Sequence, residues 1–192
     1  VRIIAGKHRG RALASVGKGD AAAHLRPTSD RVRESLFNVL AGGYGDPAQG
    51  ARVLDIFAGT GALGLEALSR GAATVSFIEN GRKALGLLHQ NIALCRTEDQ
   101  TWIFKADARR PGVNPGAPHD LVFLDPPYGK GLGEAALAAA LVGGWIAESA
   151  LIVWEESAGI TPPDGFQLIE ERKYGDTVIR FLKRVGQGAH RA

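Results

Sequence analysis

Apolar and polar positions follow two rhythms along this chain. From residue 51 onward, short apolar runs alternate with segments whose apolar positions recur every three to four residues. That is the pattern of strands followed by amphipathic helices. Strands are expected at 52–57, 74–78, 102–105, 121–124 and 151–154, and helices at 62–69, 82–94 and 133–141. The rhythm then changes, because 166–172 and 178–183 flank the turn Lys173-Tyr174-Gly175-Asp176, a hairpin signal. Ahead of residue 51, the apolar runs 1–5 and 12–16 flank Gly6-Lys7-His8-Arg9-Gly10-Arg11, predicting a small hairpin with a cationic tip. The polar stretch 17–24 reads as a linker. Pro27-Thr28-Ser29-Asp30 starts a helix with Val32, Leu36, Val39 and Leu40 at helical spacing, Arg31, Arg33, Glu34 and Asn38 elsewhere on its surface, and Gly42-Gly43 at its end. Alternating β and α units demand a parallel sheet covered on both faces, to which the final hairpin adds an antiparallel strand. The expected divisions are a basic hairpin and linker at 1–24, an α/β domain at 25–185 and a frayed tail at 186–192.

Composition narrows the class. A chain of 192 residues with 45% apolar and 22% charged side chains can bury a core, which excludes fibrous and disordered classes. One cysteine, Cys95, forbids a disulfide framework and fits a reducing, cytoplasmic setting. The five histidines lie far apart without ligand spacing, so no metal is expected. The longest uncharged apolar run, 135–147, is too short to span a bilayer, and the N-terminus lacks the apolar stretch of a signal peptide. No membrane partner is expected. With no methionine in the sequence, the translated start is expected upstream of Val1.

Net charge is +3, but it is unevenly spread. Residues 1–33 hold eight Lys/Arg against Asp20 and Asp30, a balance of +6, while the remainder balances at −3. Two readings stand: a solvated basic arm, or a polyanion footprint on an otherwise near-neutral domain.

Gly59, Gly61 and Gly64 satisfy G-x-G-x-x-G between an expected strand and an expected helix, and Glu79 follows Gly59 by 20 residues. Alone, this is a tight turn or a nucleotide site with an acid for ribose hydroxyls. Asp55 shifts the reading. A carboxylate immediately before the loop repels a pyrophosphate and suits a sulfonium or ammonium. Asp107 follows the third strand. Acids after strands one, two and three meet at the carboxyl edge, where open α/β sheets bind ligands. S-adenosylmethionine needs such a set, for its methionine amino group, its ribose diol and its adenine amine.

The fourth strand ends in Asp125-Pro126-Pro127-Tyr128. Two prolines stiffen the edge and remove backbone donors while keeping carbonyl acceptors. The Asp125 carboxylate and the Pro126 carbonyl can each accept a hydrogen from a base amine, turning its lone pair toward an electrophile. Tyr128 offers a face for stacking. The bland reading is a proline-stiffened loop.

These motifs, with Ile3-Ile4-Ala5-Gly6, Arg9-Gly10-Arg11, the run from Leu25 to Asn38 and the run from Gly61 to Gly71, resemble the bacterial RsmD family over nearly the whole chain. The resemblance implies a class I S-adenosylmethionine-dependent methyltransferase fold, Rossmann-like, with a terminal antiparallel hairpin. It implies transfer to the N2 amine of a guanine in 16S rRNA (guanine 966 in the family), within the small ribosomal subunit or an assembly intermediate. It implies a cofactor site of Asp55, Gly59, Gly61, Glu79 and Asp107, and a base grip of Asp125, Pro126, Pro127 and Tyr128. Arg26 and Thr28 belong to the family's upstream motif and either close the cofactor pocket or serve as a surface arginine and a helix cap. RNA docking is assigned to Lys7, Arg9 and Arg11 at the hairpin tip, with Arg31 and Arg33 in support, and the protein is expected to act as a monomer, releasing S-adenosylhomocysteine.

The alternative is a DNA or RNA adenine-N6 methyltransferase, which shares Asp-Pro-Pro-Tyr. Such enzymes usually carry an extra target-recognition domain, for which this length leaves no space. A cytosine-C5 enzyme needs a cysteine nucleophile, and Cys95 closes a helix toward the opposite edge. A dehydrogenase is disfavoured by Asp55, and a plain RNA-binding module leaves Asp125-Pro126-Pro127-Tyr128 unexplained.

Overall fold

The computed structural model describes residues 1–16 and 28–186. The linker at 17–24, Arg26 and the tail beyond residue 186 lie outside the described residues. The elements run α1 (Asp30–Gly43), β1 (Arg52–Ile56), α2 (Ala62–Ser69), β2 (Thr74–Glu79), α3 (Arg82–Cys95), β3 (Thr101–Lys105), β4 (His119–Leu124), α4 (Leu132–Val142), β5 (Ile146–Glu155), β6 (Phe166–Tyr174) and β7 (Thr177–Arg184), with one 3-10 turn at Glu98–Gln100. The strands form one sheet in the order β3-β2-β1-β4-β5-β7-β6. The first five are parallel, and β7 runs antiparallel between β5 and β6. Strand order reverses at β1 and β4. Such a reversal opens a crevice at the carboxyl edge, because the chains leaving β1 and β4 depart to opposite sides.

Strand alternation splits the core into two layers. Val53, Val75, Phe77, Leu121, Phe123, Val153 and Phe181 face α1, α2 and α3, whereas Leu54, Ile56, Ile78, Val122, Leu124, Ile152 and Trp154 face α4. Every helix therefore needs one apolar face, and α1 supplies it with Leu36, Phe37 and Leu40. Its start is fixed by Ser29, whose hydroxyl accepts from the Val32 N–H at 3.2 Å. Strand β5 is longer than its apolar run, beginning at Ile146 instead of Leu151, because a register shift between His119 and Leu121 lets β4 pair with both ends.

The N-terminal segment departs from the expected hairpin. It pairs antiparallel at one bridge, Arg2 with Ala12, and through Ile3 N–H to Arg11 O at 2.9 Å and Leu13 N–H to Val1 O at 2.9 Å. It forms no regular strands, because four of its amides turn to α2. Ile4 and Ala5 N–H donate to the Glu66 carboxylate at 2.8 and 3.2 Å, and Lys7 and His8 N–H to Ser69 at 2.8 and 2.9 Å. Ile3 and Leu13 sit in the same core layer as α1 and α2. The segment is a strap across the domain.

Arg33 is the clearest correction. It was expected on the helix surface, but its side chain is fully buried, on Glu66 Oε1 at 3.2 Å and Asp30 Oδ1 at 2.9 Å, and donates to Arg2 O. Helical spacing had assigned only the apolar positions of α1 to the inside. The strap adds a second covered flank, and Arg33 lies under it. No phosphate can reach it.

Glu66, itself 0% exposed, takes four donors: Ile4 N, Ala5 N, Arg33 Nε and Arg70 Nε. Removing one partner of a buried ion pair leaves the other charge uncompensated, at about 3–5 kcal/mol. Glu66→Ala should destabilise the protein on that scale in chemical denaturation, whereas Arg31→Ala, on the exposed side of α1, should cost under about 0.5 kcal/mol. Equal effects from the two variants would show that Glu66 is not the tie.

Candidate active site

A cavity of about 320 Å³ opens where β1, β2, β3 and β4 end. Of the residues singled out in the sequence, Thr28, Asp55, Gly59, Glu79, Asp107, Asp125 and Pro127 line it. Gly61, Pro126 and Tyr128 do not form its wall. Val1, Ser15 and Val16 of the strap close one side.

The chain turns sharply after β1. Phe57 and Gly59 have φ of +57° and +58°, and Gly61 has φ +82° at the start of α2. Phe57 is strained there, since a bulky side chain rarely adopts that region. Gly61 and Gly64 serve packing. A Cβ on Gly61 would lie 2.4 Å from Leu88, and one on Gly64 would lie 2.5 Å from Phe77. Both glycines let α2 settle onto β2 and α3, so Gly61 shapes the loop from behind.

The three acids stand in three electrostatic conditions. Asp55 is 1% exposed under the first turn of α2, where its Oδ2 accepts from Gly64 N–H at 3.0 Å. Burial pushes its carboxyl up to about 8, against the pull of that hydrogen bond, and the nearby Glu79 charge adds to the push. Such a group becomes a full anion when a cation sits beside it. Glu79 accepts from three backbone amides, Gly59 N on Oε1 at 2.8 Å and Asn80 and Gly81 N on Oε2 at 2.9 Å each. It therefore holds the glycine loop and lines the cavity at once. Asp107 is gripped by Arg109 through Nε at 3.1 Å and a terminal nitrogen at 2.8 Å, and also accepts Arg109 N–H at 2.9 Å; these bonds hold its carboxyl down to about 2.

At the other end, the Tyr128 hydroxyl donates to Glu155 Oε1 at 2.8 Å, and the Thr28 hydroxyl donates to Glu155 Oε2 at 3.1 Å. Burial, then the Glu155 charge, raises the Tyr128 phenol above its ordinary range. Gly129 N–H donates to the buried Glu156 at 3.1 Å. Thr28 thus reaches the cavity wall with its hydroxyl committed to Glu155. Asn91 was also missed. It is fully buried on α3, takes Ala14 N–H at 2.7 Å and donates to Ala14 O and Thr60 O at 3.0 and 2.9 Å, tying strap to glycine loop. A signal existed: Asn91 falls on the apolar face set by Leu88, Ile92 and Cys95.

The basic turn of the strap lies elsewhere. Helices α2 and α3 return from the carboxyl edge to the amino edge, and the turn meets their last residues. Lys7 N–H donates to Ser69 O, and an Arg11 guanidinium nitrogen donates to Leu94 O at 2.6 Å. Arg11 therefore satisfies an orphan carbonyl at a helix C-terminus, where positive charge is favoured. Lys7, Arg9 and Arg31 are exposed. Cys95 is buried at the end of α3, away from the cavity.

A sheet reversing at β1 and β4, with a glycine loop and acids after its first strands, is the architecture of class I methyltransferases. The family model described as conserved hypothetical protein 95 matches residues 1–183. Ribosomal RNA small subunit methyltransferase D of Escherichia coli strain K12 is 40% identical over 191 residues, 98% of this chain and 92% of that protein. The Haemophilus influenzae protein of the same name is 36% identical over 95% of this chain and 93% of its own length. The solved structure of yhhF from Escherichia coli superposes with a TM-score of 0.82 at 40% identity, covering 97% of this chain and 99% of that one. The chain belongs to the RsmD family of methyltransferases.

Asp55 gives the site a pH signature. Its pKa is raised on folding, so between about pH 4 and pH 8 the folded chain holds a proton that the unfolded chain has released. Its contribution to stability therefore falls as pH rises through that window. Asp55→Asn removes the effect, so the melting temperature of the ligand-free variant should overtake wild type by roughly a few degrees as pH approaches 8. Melting curves that keep a constant separation from pH 5 to pH 8 would exclude a protonated Asp55.

Proposed function

We propose that this protein transfers a methyl group from S-adenosylmethionine to the exocyclic N2 amine of a guanine in 16S rRNA, acting as a monomer on the small ribosomal subunit or an assembly intermediate. One observation carries the reading: Asp125, opening Asp125-Pro126-Pro127-Tyr128, lines the same cavity as Asp55 and Glu79. The relatives' names support an RNA of the small subunit. The choice of guanine N2 rests on the family resemblance.

The residues present fit the cofactor. Buried Asp55 suits the cationic methionine end, Glu79 the ribose hydroxyls and Asp107 the adenine amine, while Phe57, Ile78 and Leu63 line the space between with apolar surface. When bound, S-adenosylmethionine supplies an electrophilic methyl. Asp125 and the Pro126 carbonyl hold the target amine with its lone pair toward that methyl, so that transfer is an in-line displacement governed by alignment. Asp125 stabilises the positive charge that develops on nitrogen and accepts the proton once the new bond has formed. Tyr128 stacks on the flipped base.

Asp125→Ala should remove most of the transfer, at least about a hundredfold in single turnover, with S-adenosylmethionine affinity nearly unchanged. Tritiated-methyl transfer to naked rRNA, small subunits and DNA, followed by nucleoside analysis, checks both residue and base. Wild-type transfer by Asp125→Ala sinks the catalytic assignment, and a methylated adenine as product moves the function to the adenine-N6 class.

Phosphate docking is assigned to Lys7, Arg9 and Arg11, with Arg31 in support, and Arg11 also holds Leu94 O. Helix α2 spans about 12 Å, so an RNA strand seated at the cavity reaches the turn within a few nucleotides. Lys7→Ala with Arg9→Ala should weaken RNA binding and flatten its salt dependence by up to about two units of slope, leaving cofactor affinity and melting unchanged. An unaltered salt slope would mean the turn serves only to cap α2 and α3.

A further inference from the structure

Glu155 stands at the carboxyl end of β5, half-buried, and belongs to none of the motifs read from the sequence. Its two carboxylate oxygens serve two different elements. Oε1 takes the Tyr128 hydroxyl at 2.8 Å from the loop after β4, and Oε2 takes the Thr28 hydroxyl at 3.1 Å from the entry to α1. The phenol oxygen is also hydrogen-bonded by Thr177, the first residue of β7. The Tyr128 ring is thus pinned at its far end from two strands, while its backbone end is held by prolines and by the Glu156 bond to Gly129 N–H. A tyrosine side chain has two torsions: a tether at the hydroxyl oxygen fixes the first and so the place of the ring, and the preference of the O–H for the ring plane biases the second. Stacking area alone does not explain this arrangement, since phenylalanine would supply the same face without needing an acid beneath it.

We propose that Glu155 is a positioning residue for methyl transfer: it clasps the Tyr128 hydroxyl to the Thr28 hydroxyl and so fixes the ring on which the target base stacks. The clasp rests on the reading of Asp125-Pro126-Pro127-Tyr128 as the base grip. It adds that the grip is preorganised by an acid on β5 and is joined through Thr28 to the helix that follows the basic N-terminal region. Glu155 does not touch the amine. Its effect passes through the orientation of Tyr128, so it governs rate more than cofactor binding.

The test uses the full chain, single-turnover transfer at saturating S-adenosylmethionine and small-subunit RNA, and four variants: Glu155→Ala, Glu155→Gln, Tyr128→Phe and the double variant Glu155→Ala with Tyr128→Phe. A misplacement of about 1 Å costs on the order of a hundredfold. Glu155→Ala and Tyr128→Phe should therefore each slow transfer by roughly ten- to a hundredfold, with the cofactor dissociation constant within about twofold of wild type. The double variant should be no slower than the slower single, because both remove one link. Glu155→Gln keeps an acceptor for the phenol and a polar partner for Thr28, and should recover the rate to within about threefold of wild type. A merely structural role predicts instead a lowered melting temperature and no such coupling.

Wild-type transfer by Tyr128→Phe, or additive losses in the double variant, overturns the proposal. If Glu155→Ala does not fold, Tyr128→Phe and Glu155→Gln decide alone: a slowed phenylalanine variant beside an active glutamine variant supports the clasp, and any other pattern overturns it. Asp125→Ala, measured in parallel, separates the two levels. An active Asp125→Ala rejects the reading of the base grip itself, whereas an inactive one beside a normal Tyr128→Phe rejects only the clasp.

Discussion

The Glu66 carboxylate is the constraint on which the rest of the structure depends. It is fully buried on α2 and satisfied by two strap amides and two guanidinium groups. A charge so deep is tolerated only with a complete set of donors. Those donors come from three places, the strap, α1 and α2 itself, so meeting the requirement fixes all three relative to one another. The glycine loop inherits that order. Helix α2 carries the Gly64 N–H onto Asp55, and the strap carries Ala14 to Asn91, which in turn holds Thr60 O. The cavity floor is thus set by an ion pair that never touches it.

The carboxylates around the cavity illustrate how one edge of a sheet keeps several acids close together. Full charges on the neighbouring Asp55 and Glu79 would repel each other. Asp55 is held neutral by burial, Asp107 is neutralised by Arg109, and the Glu79 charge is spread over three backbone N–H groups. A cationic group entering beside Asp55 favours its anion, so proton release and ligand capture are the same event at that residue. The glycine loop is correspondingly strained at Phe57, which has φ of +57° and lines the cavity.

The sheet was legible because its physics is local. Apolar runs of 4–6 residues between turn residues can be little else than strands, and the β–α alternation leaves few topologies. The acids after β1, β2 and β3 were legible for a related reason: parallel strands all end at one edge, so position in sequence translates into position in space. What escaped was set by contacts across long separations. Arg33 reads as a surface arginine until a segment some 30 residues earlier covers it. Glu155 reads as the end of a strand until two hydroxyls, 27 and 127 residues away, are seen to converge on it. Helical and strand periodicity report which face is apolar, and they are silent about which polar groups a distant segment will bring to that face.

The same distinction bears on how the basic N-terminal region relates to the site. Charge along the sequence marked residues 1–33 as one cationic unit, yet folding divides them by task. Arg33 balances Glu66 inside, Arg11 satisfies Leu94 O at the foot of α3, and Val1, Ser15 and Val16 shape the cavity wall. Lys7, Arg9, Arg11 and Arg31 keep exposed charges among the described members of the group that sequence assigned to RNA, and Arg33 does not. The strap therefore cannot be a detachable binding arm. Its apolar residues are core, its amides neutralise a buried acid, and its ends touch the cavity. A polyanion bound to such a strap acts on an element already rigidly joined to the glycine loop through Asn91 and to α1 through Arg33. Docking and chemistry then share one framework, and any force that displaced the strap would have to break the Glu66 cluster first.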